Sequence, residues 1–98
     1  MAGIARISSN TTGHGCWPTT IIAQGCISIV VEGLPASTIG HIAIPHVCTK
    51  KPFPMHPLVI AQGSTNIIAE GAPIARIGDR MSCSDMIAVG AVSVLGGG

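Results

Sequence analysis

Residues 22–40 read IAQGCISIVVEGLPASTIG, and residues 60–78 read IAQGSTNIIAEGAPIARIG. Ten of the nineteen positions are identical at an offset of 38. Two more fragments extend the pattern. Ile4-Ala5-Arg6-Ile7 near the N-terminus matches Ile74-Ala75-Arg76-Ile77. Residues 87–95, IAVGAVSVL, match the stretch that begins at Ile60. Splicing the last fragment onto the first gives a third copy, cut so that both chain ends fall within it. Internal repetition outranks any other fold signal, and three copies predict pseudo-threefold symmetry.

Each copy reads as β. Residues 26–31 and 64–69 are short runs rich in β-branched side chains, each ending at Glu-Gly, which suits a tight hairpin turn. Second strands are expected over 34–39 and 72–77. Pro35 and Pro73 lie early in them, where a missing N–H does least harm. No stretch sustains a helical period beyond two turns. The expectation is a small all-β chain of short hairpins, one domain over 1–98.

Composition narrows the function. Hydrophobic residues make up 47% of the 98-residue chain, charged residues 9%, and the formal charge is +1, so no basic face is available for nucleic acid. With 13 Gly, 7 Pro, one Trp, one Phe and no Tyr, neither a helical bundle nor a large aromatic core is expected. A domain this small buries only about 60–65% of its unfolded surface and calls for a metal, a disulfide or a partner. The N-terminus lacks a secretory apolar region, and no run approaches the ~20 apolar residues of a membrane span. Cytoplasmic synthesis is expected, and with it four cysteines that are thiols or metal ligands rather than disulfides.

Register across the copies locates the chemistry. With Ile7, Ile39 and Ile77 aligned, His14 and His46 lie seven residues on and Cys83 six. Each copy thus sends one nitrogen or sulfur donor to the same place. A structural zinc site takes four, and symmetry supplies three. The middle copy has the longest connection, 17 residues from His46 to Gly63 against 11 from His14 to Gly25, and it contains His56 between prolines. The expected ligands are His14, His46, His56 and Cys83. Cys16 and Cys48 are the spare candidates, and disulfides Cys16–Cys26 and Cys48–Cys83 are the alternatives. Cys26 takes the position of Ser64 and Ala91 and reads as a core residue or a small surface filler. His41 takes the position of Asp79 and reads as a turn residue. Trp17, unmatched in the other copies, is placed at a loop base. Glu32 and Glu70 sit in repeated turns, no nucleophile motif is present, and an enzyme is not expected. A small zinc-dependent hydrolase or a metal-binding module is the alternative, and spacing does not separate zinc from iron.

Residues 73–79, PIARIGD, resemble the motif that names the PAAR-repeat proteins, with Ile74 in place of the first alanine. The second copy reads Pro35-Ala36-Ser37-Thr38 and then Gly40-His41 instead of Gly-Asp, and the first has Ser8-Ser9 there. The resemblance implies a conical tip that caps the trimeric β-helical spike of a contractile injection machine, one tip monomer per trimer. It implies a zinc held near the vertex by three His and one Cys, and transient contact with a target membrane. It also implies incorporation in a phage tail, slightly favoured here, or release by a type VI secretion apparatus. A bare tip without an effector domain is expected. The hairpins and both termini are placed at the broad end, opposite the ligand loops.

Overall fold

The structure is a computed structural model that describes residues 2–13, 15–26, 28–50, 55–82, 85–91 and 95–96. Its strands are β1 (Ala2–Gly3), β2 (Val30–Val31), β3 (Leu34–Pro35), β4 (Ile42–Val47), β5 (Met55–Val59), β6 (Ile68–Ala69), β7 (Ala72–Pro73) and β8 (Leu95–Gly96). They form four antiparallel pairs: β1–β8, β2–β3, β4–β5 and β6–β7.

Three of these pairs are one hairpin repeated. Val30 pairs with Pro35, Ile68 with Pro73, and Leu95 with Gly3. The first two are closed by Glu32-Gly33 and Glu70-Gly71, with positive φ at both central residues (49° and 83°, 50° and 82°), the type I′ geometry that matches strand twist. In the third hairpin the two strands, Ala2–Gly3 and Leu95–Gly96, come from opposite ends of the described chain rather than from neighbouring residues. The repeat is therefore circularly cut, as its spliced third copy requires.

The expected second strands are broken into shorter pieces, because each changes partner along its length. Isolated bridges join Arg6 to Ala36, Thr38 to Ile74, and Arg76 to Ile4. Between them the backbone closes a ring of three hydrogen bonds. Ser37 N–H donates to Ala5 O at 3.0 Å, Ala75 N–H to Ser37 O at 2.8 Å, and Ala5 N–H to Ala75 O at 2.9 Å. A second ring runs from Ile7, Ile39 and Ile77 N–H to Pro35, Pro73 and Gly3 O at 2.9, 3.0 and 2.8 Å. Any two arms are joined directly, and the third closes the circle. No continuous sheet is needed to satisfy these buried backbone groups.

Side chains fill the triangle by size. Ala5, Ser37 and Ala75 at the first ring are fully buried. Ile22, Ile60 and Ile87 form the next layer with Ala43, Met81, Thr11 and Leu58, all 3% exposed or less. A second cluster toward the hairpins holds Ile4, Ala36 and Ile74 with Cys26, Ala91, Val31 and Ala69. Cys26 shares its position with Ser64 and Ala91, as aligned, and all three are buried, which decides for the core. Three arms crossing close to one axis leave room for Ala and Ser, which explains the near absence of aromatic residues.

Turns between the layers are capped the same way in each copy. Arg6, Thr38 and Arg76 N–H donate to Ser9 Oγ, His41 Nδ1 and Asp79 Oδ2 at 3.0, 3.0 and 2.8 Å. His41 is thus a turn residue, the counterpart of Asp79. The preceding position is left-handed in every copy, with φ of 73° at Ser8, 93° at Gly40 and 91° at Gly78. Only the first copy places a side chain there, at a cost that glycine avoids. Ser8→Gly is expected to stabilise the fold by about 0.5–1 kcal/mol after glycine's own entropy cost. A rise in melting temperature of several degrees checks it, and a fall would contradict it.

Candidate metal centre

The arms run from the hairpins through the rings to a further level of crossings, here called the neck. Cys26 N–H meets Ala36 O, while Ile22 bridges Ala43 further along. Hairpins and connecting loops therefore lie at opposite ends of each arm, in a molecule of 41 × 23 × 21 Å. At the neck a third set of bonds joins the arms: Thr12, Ile44 and Ser82 N–H donate to Met86, Ile21 and Val59 O at 2.8, 2.9 and 2.8 Å. Thr12 Oγ1 also donates to a carboxylate oxygen of buried Asp85 at 3.3 Å. Gly13 and Ser82, the residues directly before His14 and Cys83, sit on this neck.

His14 and Cys83 themselves lie outside the described residues. His46 lies in β4 and is buried at 3% exposure. His56 lies in β5, and the two are direct partners across the ladder, His46↔His56, followed by Val47↔Met55. The long connection of the middle copy is therefore largely hairpin rather than the loop expected from its prolines. Pro45 and Pro57 are accommodated because the register shifts between Ala43 and His46.

His46 is held by the first copy's loop. Its Nδ1 lies 3.0 Å from Pro18 O. A carbonyl only accepts, so Nδ1 carries the hydrogen, which in the neutral ring leaves the lone pair on Nε2. Metal-ligating histidines are commonly oriented this way, by a carbonyl that fixes the tautomer. The Trp17 ring packs against the same imidazole, with centroids 6.2 Å apart and planes tilted 35°. Trp17 thus backs a candidate ligand, a role its isolated position in the sequence did not specify. The donors fit a borderline metal such as zinc. Among the described residues no group of three or more His, Cys, Asp or Glu is gathered for a metal, since two expected ligands fall outside them and the third is His56, whose side chain is not described.

The cysteines require a correction. Cys16 and Cys48, taken as thiols or spare ligands, form a disulfide with Cα atoms 4.8 Å apart. The alternative pairings Cys16–Cys26 and Cys48–Cys83 are overturned with it. Cys16 belongs to the loop beyond the neck, whereas Cys26 is a free thiol in the hairpin-side core. Repeat alignment could not reveal the true pair, because Cys16 and Cys48 stand at matching positions of two copies. Their partnership follows from two loops meeting. Burial pushes the Cys26 thiol up, aided by the negative charge of Glu70. Glu70 reaches across from the next hairpin, and bonds from the Ser28 hydroxyl and N–H hold its carboxyl below the usual range. This carboxylate links two copies, which gives the repeated Glu of the turn a structural use.

Residues 12–89 match the family model of the PAAR motif. The chain belongs to the PAAR-motif family. A comparison with curated proteins returns no match. The match spans all three neck crossings and two of the three hairpins, while the first arm's ring residues Gly3, Ala5 and Ile7 lie before it. Membership points to a tip role in phage-tail or type VI secretion machinery, in association with a spike protein.

Proposed function

We propose that this PAAR protein is the structural, non-enzymatic tip of a trimeric β-helical spike, one monomer seated on three spike chains. The observation that carries the reading is the ring of three hydrogen bonds through Ala5, Ser37 and Ala75, by which a single chain presents three near-equivalent arms. At the hairpin end the copies offer similar surfaces, with Val30 and Ile68 at matching positions, 60% and 59% exposed. A threefold surface matches a threefold partner, and short hairpins there suit strand addition. The opposite end carries the connecting loops. A zinc held by His14, His46, His56 and Cys83 would crosslink those loops and add directly to folding free energy. The role is to sharpen and stiffen the spike as it meets a target envelope, in a phage tail or a type VI system.

Co-expression with a trimeric β-helical spike protein tests this. Light scattering should give one tip per three spike chains, and the pair Val30→Asp and Ile68→Asp should abolish the complex while the isolated tip stays folded. Elemental analysis should give about one zinc per chain. A tip bound to each spike chain, or binding indifferent to both aspartates, would overturn the docking.

A further inference from the structure

Residues 16–18 make three separate contacts with one short stretch around the end of β4. Cys16 is bonded to Cys48. Trp17 packs on His46. Pro18 O accepts from His46 Nδ1 at 3.0 Å. His46 and Cys48 are two residues apart in extended chain and both are buried, with exposed Val47 between them, so they face the same side. We infer that the Cys16–Cys48 pair is a redox-operated clamp that positions His46, so that closing the disulfide tightens the apex on its metal. The inference rests on the metal reading above.

The geometry gives the clamp its leverage. The β4–β5 ladder ends at Val47↔Met55, one residue before Cys48. Thr49 N–H to Cys16 O, at 2.9 Å, is the backbone bond that supports the disulfide there. On its other side the Cys16 loop is anchored at the neck, where Thr11 N–H donates to Thr20 O at 2.9 Å. The disulfide fixes the far end of a loop whose interior supplies the carbonyl that orients the imidazole. Opening it removes the covalent half of that anchor and lets Pro18 O move away from Nδ1. Cys48 is buried at 4% exposure, but Cys16 is partly exposed, so an exchanging thiolate has a sulfur to attack. Closure takes two electrons and two protons from the thiols. A disulfide oxidant accepts them, its own S–S bond breaking as the Cys16–Cys48 bond forms, and a dithiol reductant reverses the exchange.

Residues that orient a metal ligand affect affinity roughly ten- to hundredfold. The full chain loaded with zinc, oxidised or reduced with a phosphine, is titrated against a chelator. Oxidised protein should hold zinc tighter by about that factor. The double variant Cys16→Ser, Cys48→Ser should match reduced protein under both conditions. In parallel, nitrogen-15 NMR follows the His46 Nδ1–H, which should be slow to exchange when oxidised and broadened when reduced. Equal affinities, or tighter binding after reduction, overturn the clamp on the metal. If zinc binds in neither state, the metal reading fails and with it the affinity claim. The Nδ1–H signal then decides whether the disulfide positions His46 at all: loss on reduction supports it, no change sinks it.

Discussion

Replacing Ile60 by alanine is expected to cost about 3–4 kcal/mol, toward the upper part of the range for large-to-small core changes. The side chain is fully buried in a cluster with Ala5, Ala43 and Ala75 on one hand and Ile22, Leu58, Met81 and Ile87 on the other. The alanines are too small to fill a gap, and the larger neighbours Ile22, Met81 and Ile87 sit on backbone fixed by bridges between the arms. Little can collapse into the space left behind, so the cavity term stays large. For a chain of this length each kcal/mol moves the melting temperature by about 4–8 °C, and a drop of well over 10 °C should be seen. The threefold relation sharpens the test. Ile22 and Ile87 hold the matching positions at 0% and 1% exposure, and their alanine variants should fall within about 1 kcal/mol of Ile60→Ala. Ile68→Ala, at a 59% exposed position, should cost less than about 1 kcal/mol in the free tip. Denaturant unfolding of the four variants measures all of this. Costs that differ widely among the three buried isoleucines would mean that the arms are alike in path but not in energy.

The residues shared by the repeats turn out to be the ones the geometry cannot vary. Ile22 and Ile60 build the core layer. Gln24 and Gln62 accept from Ile42 and Arg80 N–H at 3.0 and 3.2 Å, holding the next hairpin in register. Glu-Gly makes the type I′ turn, and Gly40 and Gly78 take the left-handed position. Because each identity has its own physical cause, the repeat, with the β-branched runs inside it, was enough to read the all-β class, the circular cut and the turn role of His41, while the choice between core and surface for Cys26 needed the structure. What the sequence hid follows from partners that lie outside any one copy. Second strands expected to run six residues shorten to two because each changes neighbours at the ring, a switch that β-propensity does not encode. The stretch between His46 and Gly63, with Pro52, Pro54 and Pro57, read as loop, yet β5 lies within it and pairs back with β4, setting His46 opposite His56. The Cys16–Cys48 bond joins loops of two different copies, and spacing along the chain carries no record of that meeting.

Gly25→Ala is expected to destabilise the fold by about 3 kcal/mol, at the top of the range for overpacking. An added Cβ would stand 2.7 Å from Pro35 Cβ, 2.8 Å from Pro35 O and 3.1 Å from Ala36 O. Two of those atoms are backbone, and the third belongs to a rigid ring. None can swing aside as a long side chain would. The counterparts behave alike, since a Cβ at Gly63 would meet Ile74 O at 2.9 Å and one at Gly90 would meet Ile4 O at 2.7 Å. Gly33 provides the contrast. Nothing lies within 4 Å of a Cβ there, but φ is +83°, so Gly33→Ala should carry only the left-handed penalty of about 1–2 kcal/mol. The ring also predicts how the costs combine. Gly25 presses on the arm through Ala36 and Gly63 on the arm through Ile74, and Ser37 and Ala75 tie those arms by a single hydrogen bond. Once the first substitution has displaced its arm, part of the strain from the second is already relieved. The double variant should therefore cost less than the sum of the singles by more than the ~0.5 kcal/mol seen for independent sites. Strict additivity would show that the arms yield separately, and that the closed ring does not couple them.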